Sequence, residues 1–200
     1  MTAVWTEPSV TCRQENPDNH LSVWVGLDGI AGSPAESPVQ VGVHATCRGE
    51  LYPQHQAFWG VISAGVDTRE QPIPMVVCAG DRTSASVVRS AADPANYILT
   101  IDNLFRPGQR QTLTKRAPAA RSESAEIIVE RPTVFTLDST WPKTVNVPFS
   151  YVTVDGAPLS GYETLPIQGR QNDTGMVYSP SPVTTDSGGY SNFTVSSHPG

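Results

Sequence analysis

The sequence predicts an all-β protein, built as an antiparallel two-sheet β-sandwich of the jelly-roll kind. Short segments with alternating apolar and polar residues recur along the chain, which is typical of strands with one buried face. The 200 residues include 16 glycines and 18 prolines, as expected for a chain with many turns. No window shows a long helical period. The length fits one domain over residues 1–200.

Candidate strands follow one another roughly every ten to fifteen residues. We place them at 3–6, 21–27, 39–46, 57–63, 74–78, 83–89, 96–102, 111–115, 125–131, 145–154, 164–168, 175–178 and 190–196. Turn signals such as Asp28-Gly29 and Asp155-Gly156 lie between them. The basic stretch 105–123 is expected to be a solvated loop, with a mobile flap or a processing site as the alternative.

The strand at residues 39–46 has one apolar face and one polar side chain opposite it. Side chains on a strand alternate between faces, so Val39, Val41 and Val43 share one face and Gln40 lies on the other. An amide held on such a strand is a neutral hydrogen-bond donor. We expect it to face a cleft.

The strand at residues 125–131 has a similar division. Its apolar face consists of Ala125, Ile127 and Val129, and its mixed face consists of Glu126, Ile128 and Glu130. A mixed face suits the wall of a groove better than open solvent. The sequence therefore predicts a carboxylate and an amide facing one cleft.

Composition excludes several classes of function. The net charge of −6 and the pI near 5.1 argue against nucleic-acid binding. No apolar run is long enough to span a bilayer, so no membrane partner is expected. The cysteines Cys12, Cys47 and Cys78 form no CxxC pair and the four histidines no ligand cluster, so we expect no metal site. Three cysteines leave at least one unpaired, and their pairing stays open.

Met1 is followed by neither a basic nor an apolar leader segment. We therefore expect no signal peptide in this chain. The protein is expected to be cytoplasmic, or to have a presequence that lies outside the given residues.

Several short motifs follow one another along nearly the whole chain. They are Val4-Trp5-Thr6-Glu7-Pro8, Val23-Trp24-Val25-Gly26-Leu27-Asp28-Gly29, Val39-Gln40-Val41-Gly42-Val43, Ala79-Gly80-Asp81, Ser124-Ala125-Glu126-Ile127-Ile128-Val129-Glu130-Arg131-Pro132, Ser179-Pro180-Ser181-Pro182 and Ser191-Asn192-Phe193-Thr194-Val195. In this order they resemble the motifs of the glutamic peptidases, or eqolisins. Two positions depart from the family pattern. Ile127 stands where the family has Trp, and Gly60 stands where it has a glutamate.

The resemblance implies a concanavalin-like sandwich with the active site on a concave face, and an endopeptidase that acts on polypeptides in acid. Glu126 corresponds to the catalytic glutamate and Gln40 to its partner. Trp24 and Asp28 would support substrate and the pair, and Glu130 would be a supporting group. The resemblance further implies a monomer without cofactors, from a family that is typically secreted.

These residue types suit peptide hydrolysis. A glutamate near its unperturbed pKa is partly ionised in acid and can act as general base on a water molecule, then return the proton to the leaving amine. The glutamine amide can donate to the developing oxyanion. Trp59 is a further candidate for substrate binding or support.

Three alternatives involve other classes of protein. Asp173-Thr174-Gly175 and Asp186-Ser187-Gly188 spell the triplets of pepsin-type enzymes but lie too close together, and we interpret both as turns. A jelly-roll glycosidase would use Glu126 and Glu130 as its acid and nucleophile. A non-catalytic carbohydrate- or peptide-binding module would line its groove with aromatic side chains, namely Trp24, Tyr52, Phe58 and Trp59.

Overall fold

The computed structural model describes residues 1–12, 19–29, 37–47, 52–63, 66–131, 133–134, 137–138, 142, 145–171 and 175–200. The first eight strands are β1 (Thr2–Thr6), β2 (His20–Leu27), β3 (Val39–Thr46), β4 (Gln54–Ser63), β5 (Val66–Pro72), β6 (Arg82–Arg89), β7 (Asn96–Asn103) and β8 (Arg110–Arg116). The others are β9 (Ala125–Glu130), β10 (Thr133–Val134), β11 (Leu137–Asp138), β12 (Asn146–Thr153), β13 (Gly169–Gln171), β14 (Met176–Pro180), β15 (Thr184–Thr185) and β16 (Ser191–Pro199). A short 3-10 helix spans Leu159–Gly161.

The strands form two layers of antiparallel sheet. A nine-stranded sheet has the order β13-β14-β16-β12-β1-β6-β7-β8, with β15 added beside β16. A five-stranded sheet has the order β5-β4-β3-β2-β9. Strands β10 and β11 pair only with each other in the described part of the chain. The predicted two-sheet β-sandwich is confirmed.

The hydrophobic core lies between the two layers, where alternate residues of each strand face inward. Val39, Val41 and Val43 of β3 are at most 1% exposed, as the alternation predicts. They belong to one buried cluster with Leu99 and Ile101 of β7, which come from the opposite sheet. Burying each such side chain contributes about 1.5–3 kcal/mol. The polar faces of the strands are thereby fixed to the outside of the sandwich.

A disulfide settles the cysteine pairing that the sequence left open. Cys12, which follows β1, is bonded to Cys47, which follows β3. Cys78 is a free, exposed thiol. The bond connects the chain that leaves one sheet to the chain that leaves the other.

Two predicted strands are wrong. Residues 74–78 are not part of a sheet, because their backbone donors bond elsewhere: Met75 N–H to the Ile73 carbonyl and Val76 N–H to the Gln109 side chain. The strand in this region is β5, which starts earlier. Residues 164–168 are an exposed segment, and the short strand β13 follows them.

The basic stretch 105–123 is also corrected, because it is not one loop. Its middle is β8, an edge strand of the nine-stranded sheet. Lys and Arg are common on edge strands, where they discourage pairing with other chains. The remaining parts are the turn before β8 and the segment that leads into β9.

The Asp186 triplet is a turn, as predicted. The Asp186 carboxylate accepts hydrogen bonds from the backbone N–H groups of Gly188 and Tyr190 at 2.9 and 3.0 Å. The other triplet includes Asp173 and Thr174, which lie outside the described residues. Within the described ranges, no helix has the length and apolar character needed to cross a membrane.

Candidate active site

Glu126 and Gln40 lie in one row across the five-stranded sheet. Gly26 of β2 is directly opposite Glu126 of β9 on one side and Gln40 of β3 on the other. Directly opposed residues point their side chains to the same face, so both functional groups lie on the outer face. Their Cα atoms are two strand spacings apart, or about 10 Å. The structure therefore brings the predicted pair together.

Trp24 forms the floor between the two groups. A Cβ atom on Gly26 would lie 2.9 Å from Cζ3 of Trp24, so the indole extends over this glycine. Gly42, opposite Trp24 on β3, is equally crowded, because a Cβ there would lie 2.4 Å from the Trp24 Cβ. The two glycines make room for an indole that is only 6% exposed. Trp24 thus lies on the same face as the predicted pair, on the strand between them.

The Glu126 carboxyl has an unusual environment. Its side chain is half-buried, and no described residue donates a hydrogen bond to it. A Cβ atom on Gly29 would lie 3.1 Å from Oε2, so this glycine packs against the carboxyl. Burial, followed by the negative charges of Asp28 and Glu130, raises the pKa of Glu126 to about 7. The carboxyl therefore holds its proton through most of the acidic range.

Asp28 is buried and organises the chain that enters β9. Its carboxylate accepts hydrogen bonds from the backbone N–H groups of Arg121, Ser122 and Glu123, each at 2.8 Å. Asp28 itself has φ of 62°, a conformation that aspartate tolerates better than most residues. It acts on Glu126 through the position of the loop and through its charge.

Glu130 lies on the same face as Glu126, four residues further along β9. Burial raises its pKa, with a smaller contribution from the charge of Glu70. The indole of Trp24 and the ring of His44 oppose the rise. The structure thus places a second carboxyl with raised pKa close enough to influence Glu126.

Three polar residues of this face were missed by sequence reasoning. The Gln40 amide nitrogen donates to Oε1 of Glu70 at 3.3 Å, and Oε2 of Glu70 lies 3.0 Å from Nε2 of His44. The other ring nitrogen of His44 is 2.7 Å from the Ser22 hydroxyl. The alternation of β2 and β3 places Ser22 and His44 on the face of Gln40, which was the available signal. No pattern in the sequence indicates Glu70.

Trp59 is not brought to this site. It lies on the opposite face of β4 from Gly60, packed against the core. Its ring contacts the Lys115 ammonium, with Nζ 3.6 Å from the ring centroid. Trp59 therefore supports the sandwich rather than the cleft. Among the described residues, no group of three or more His, Cys, Asp or Glu side chains is arranged to hold a metal ion.

The model of the Peptidase A4 family matches residues 1–187, nearly the whole chain. The chain belongs to the Peptidase A4 family. These enzymes are the glutamic peptidases, or eqolisins, so the resemblance seen in the motifs is confirmed and the chain is a glutamic endopeptidase by family. Family membership disfavours the glycosidase and the non-catalytic binding module. No curated protein matches the chain.

Solved structures of glutamic peptidases share the fold. Aspergilloglutamic peptidase from Aspergillus niger is 22% identical with a TM-score of 0.62, over 88% of this chain and 98% of that one. Scytalido-glutamic peptidase with a transition state analog inhibitor is 18% identical with a TM-score of 0.64, over 100% of this chain and 91% of that one. The eqolisin SCP-B in a complex with the tripeptide Ala-Ile-His is 18% identical with a TM-score of 0.60, over 100% and 90%.

Proposed function

We propose that this Peptidase A4 member hydrolyses peptide bonds in polypeptides with Glu126 and Gln40 as a catalytic pair, with activity that extends from mild acid to neutrality. The most direct support is the position of the two side chains in one row across the sheet. The half-buried Glu126 carboxyl and the Gln40 amide lie on the same face, with Gly26 between them. A peptide carbonyl placed above Gly26 would have the carboxyl on one side and the amide on the other. The family membership and the peptide ligands of related structures support polypeptide substrates.

The proposed reaction needs only the two side chains and water. Ionised Glu126 takes a proton from water, whose oxygen forms a bond to the scissile carbonyl carbon. The Gln40 N–H donates to the oxyanion that develops on the carbonyl oxygen. Protonated Glu126 then gives its proton to the amide nitrogen as the carbon–nitrogen bond breaks, which restores the carboxylate and releases acid and amine.

The pKa of Glu126 sets the lower pH limit of this reaction. The sequence-based expectation was a carboxyl near its ordinary value, but the structure raises the pKa to about 7. At pH 5 the ionised fraction is then about one in a hundred. With Glu126 starting as base, activity is expected in mild acid and rises towards pH 7.

Trp24, Asp28 and Glu130 are proposed as supporting residues. Trp24 forms the floor on which a substrate backbone rests, and Asp28 fixes the entry into β9. Glu130 adjusts the pKa of Glu126 through its charge. We also propose that the protein acts as a monomer, since one chain supplies both members of the pair.

The test is cleavage of a denatured protein such as casein from about pH 2 to 8 by wild type, Glu126→Gln and Gln40→Ala. Loss of the proton-transfer group is expected to lower kcat by at least about 10³-fold, and loss of the amide donor by about 10²-fold. The matched control is Glu163→Gln, which removes an exposed carboxyl far from β9 in the sequence. Full activity of folded Glu126→Gln would contradict the proposal.

The shape of the pH profile tests the order of proton transfers. If Glu126 starts as base, kcat/KM rises about tenfold per pH unit up to an apparent pKa near 7. A profile that is flat through acid and falls above pH 7 would instead show that the protonated carboxyl starts the reaction as a donor.

A further inference from the structure

We propose that Glu70 and His44 are positioning residues that hold the Gln40 amide in the orientation needed to stabilise the oxyanion. This inference rests on the proposed role of Gln40. The contacts are continuous from Ser22 through His44 and Glu70 to Gln40, with successive distances of 2.7, 3.0 and 3.3 Å. We call the first three residues the relay. None of them is used in the proton transfers.

A β-bulge in β5 aims Glu70 at the site. Along the pairing of β4 with β5, Trp59 is opposite Gln71 and Val61 is opposite Thr68. Residues 69 and 70 therefore both oppose Gly60. Bulges redirect a side chain out of the regular alternation and are frequent beside active sites. The extra residue here turns the Glu70 carboxylate towards β3.

Gly60 leaves the space that Gln40 and Glu70 share. A Cβ atom on Gly60 would lie 3.2 Å from the Gln40 amide nitrogen and 3.3 Å from its Cγ. Any larger side chain at this position would displace the amide. A glycine opposite Gln40, together with a bulge beyond it, lets a carboxylate reach the amide from the next strand.

His44 fixes the other end of the Glu70 carboxylate. Its ring stacks on Phe58, with centroids 3.9 Å apart and planes within 8° of parallel. Its side chain is 16% exposed, against 35% for Glu70. The Ser22 hydroxyl can donate to or accept from the ring, so these contacts are satisfied whether the imidazole is neutral or cationic. An otherwise mobile surface glutamate is thereby held in one place.

The chemistry of the contact decides which way the Gln40 amide points. An ionised carboxylate only accepts hydrogen bonds, so the amide nitrogen rather than the amide oxygen must face Glu70. One N–H of Gln40 is then occupied, and the second N–H is left for the substrate. Without the relay the amide is free to turn over, and its oxygen would repel a developing oxyanion. The relay should therefore affect kcat more than KM.

The experiment is a double-mutant cycle with a fluorogenic peptide, measuring kcat and KM for wild type, Glu70→Ala, Gln40→Ala and the double variant. Glu70→Ala is expected to lower kcat about tenfold and to change KM less than twofold. In the Gln40→Ala background the same substitution should change kcat less than twofold, because no amide is left to orient. His44→Ala should lower kcat by about threefold, since Glu70 keeps its bond to Gln40.

Glu163→Ala is the matched control for loss of a carboxylate, and thermal unfolding of each variant confirms that it is folded. An equal loss of kcat from Glu70→Ala in both backgrounds would overturn the relay, and so would a rise in KM with unchanged kcat. If the single variant Gln40→Ala retains the wild-type kcat, the proposed catalytic pair and the proposed relay are both wrong. That result differs from failure of the relay alone. In that case Gln40→Ala lowers kcat, and Glu70→Ala lowers kcat by the same factor in both backgrounds.

Discussion

Two buried or half-buried glutamates show how the same side chain is used in opposite ways. Glu7 lies between the sheets, where its Oε1 accepts hydrogen bonds from the Trp5 indole at 2.8 Å and the Thr83 hydroxyl at 2.6 Å. Its Oε2 is 3.9 Å from Nδ1 of His55. Glu126 lies on the outer face without a donor among the described residues. Its charged neighbours, Asp28 and Glu130, are of the same sign.

The two carboxyl groups differ in whether described residues donate hydrogen bonds to their oxygens. Donors around Glu7 offset the cost of its burial, and its position between the sheets separates it from any substrate. Around Glu126 no described residue offsets the cost of burial, which appears as a raised pKa. A carboxyl that is poorly solvated and poorly partnered is suited to proton transfer near neutrality. Glu7 therefore contributes to stability, whereas the environment of Glu126 suits the catalytic role proposed for it.

The largest effect is expected at Glu7. Glu7→Leu keeps similar volume but leaves the Trp5 and Thr83 donors unsatisfied, so the free energy of unfolding should fall by about 3 kcal/mol. Glu7→Gln, which retains one acceptor oxygen, should lose less than half of that. Urea unfolding measures both, and kcat of the folded variants should be unchanged. A Glu7→Leu protein with wild-type stability would contradict the stabilising role assigned to Glu7.

A smaller effect of opposite sign is expected for Glu126→Gln. The folded state binds a proton at Glu126 more tightly than the unfolded chain, for which the pKa is near 4.5, so ionisation between about pH 4.5 and 7 costs the native state stability. Allowing for the partial exposure of the side chain, wild type should lose about 1–2 kcal/mol across this window.

Glu126→Gln should not lose this increment, because glutamine does not ionise. Urea unfolding of both proteins at pH 4 and pH 8 tests this. They should differ little at pH 4, and the variant should be the more stable at pH 8. A wild type that gains stability relative to Glu126→Gln as pH rises would show that the carboxylate is well partnered after all.

The smallest effect is expected for Glu130→Gln. Removing a negative charge near Glu126 favours its ionised form, so the apparent pKa in the kcat/KM profile should fall, by less than about one unit. Relative activity at pH 5 should rise accordingly. Glu163→Gln is the control that should leave the profile in place. An upward shift in Glu130→Gln would mean that Glu130 stabilises the carboxylate.

The faces of β3 and β9 could be predicted from sequence because they depend on a local period of two. Gln40 and Glu126 therefore lie on the outer face, as expected. That they share one row depends on strand register, which local pattern does not contain. The family resemblance implied only that the two residues are partners. Trp59 shows what a period of two does not predict. Phe58 and Trp59 are adjacent aromatic residues on opposite faces of β4, and the neighbouring sequence does not indicate which of them faces outward.

Glu70 and the pKa of Glu126 could not be predicted because they depend on distant contacts. Glu70 reaches Gln40 only through a bulge, which has no distinct residue pattern here. The pKa depends on burial and on the fixed position of Asp28, whose partners are backbone groups far along the chain. Composition and periodicity do not record such contacts.

The position of β9 has a consequence for which pieces of the chain can carry the proposed pair. Within the described sheet, β9 joins only β2, and the strands between β5 and β9 in the chain all belong to the other layer. Gln40 therefore precedes these strands in the chain, and Glu126 follows them. A cut between β5 and β9 would divide the chain into two pieces, each with one member of the proposed pair.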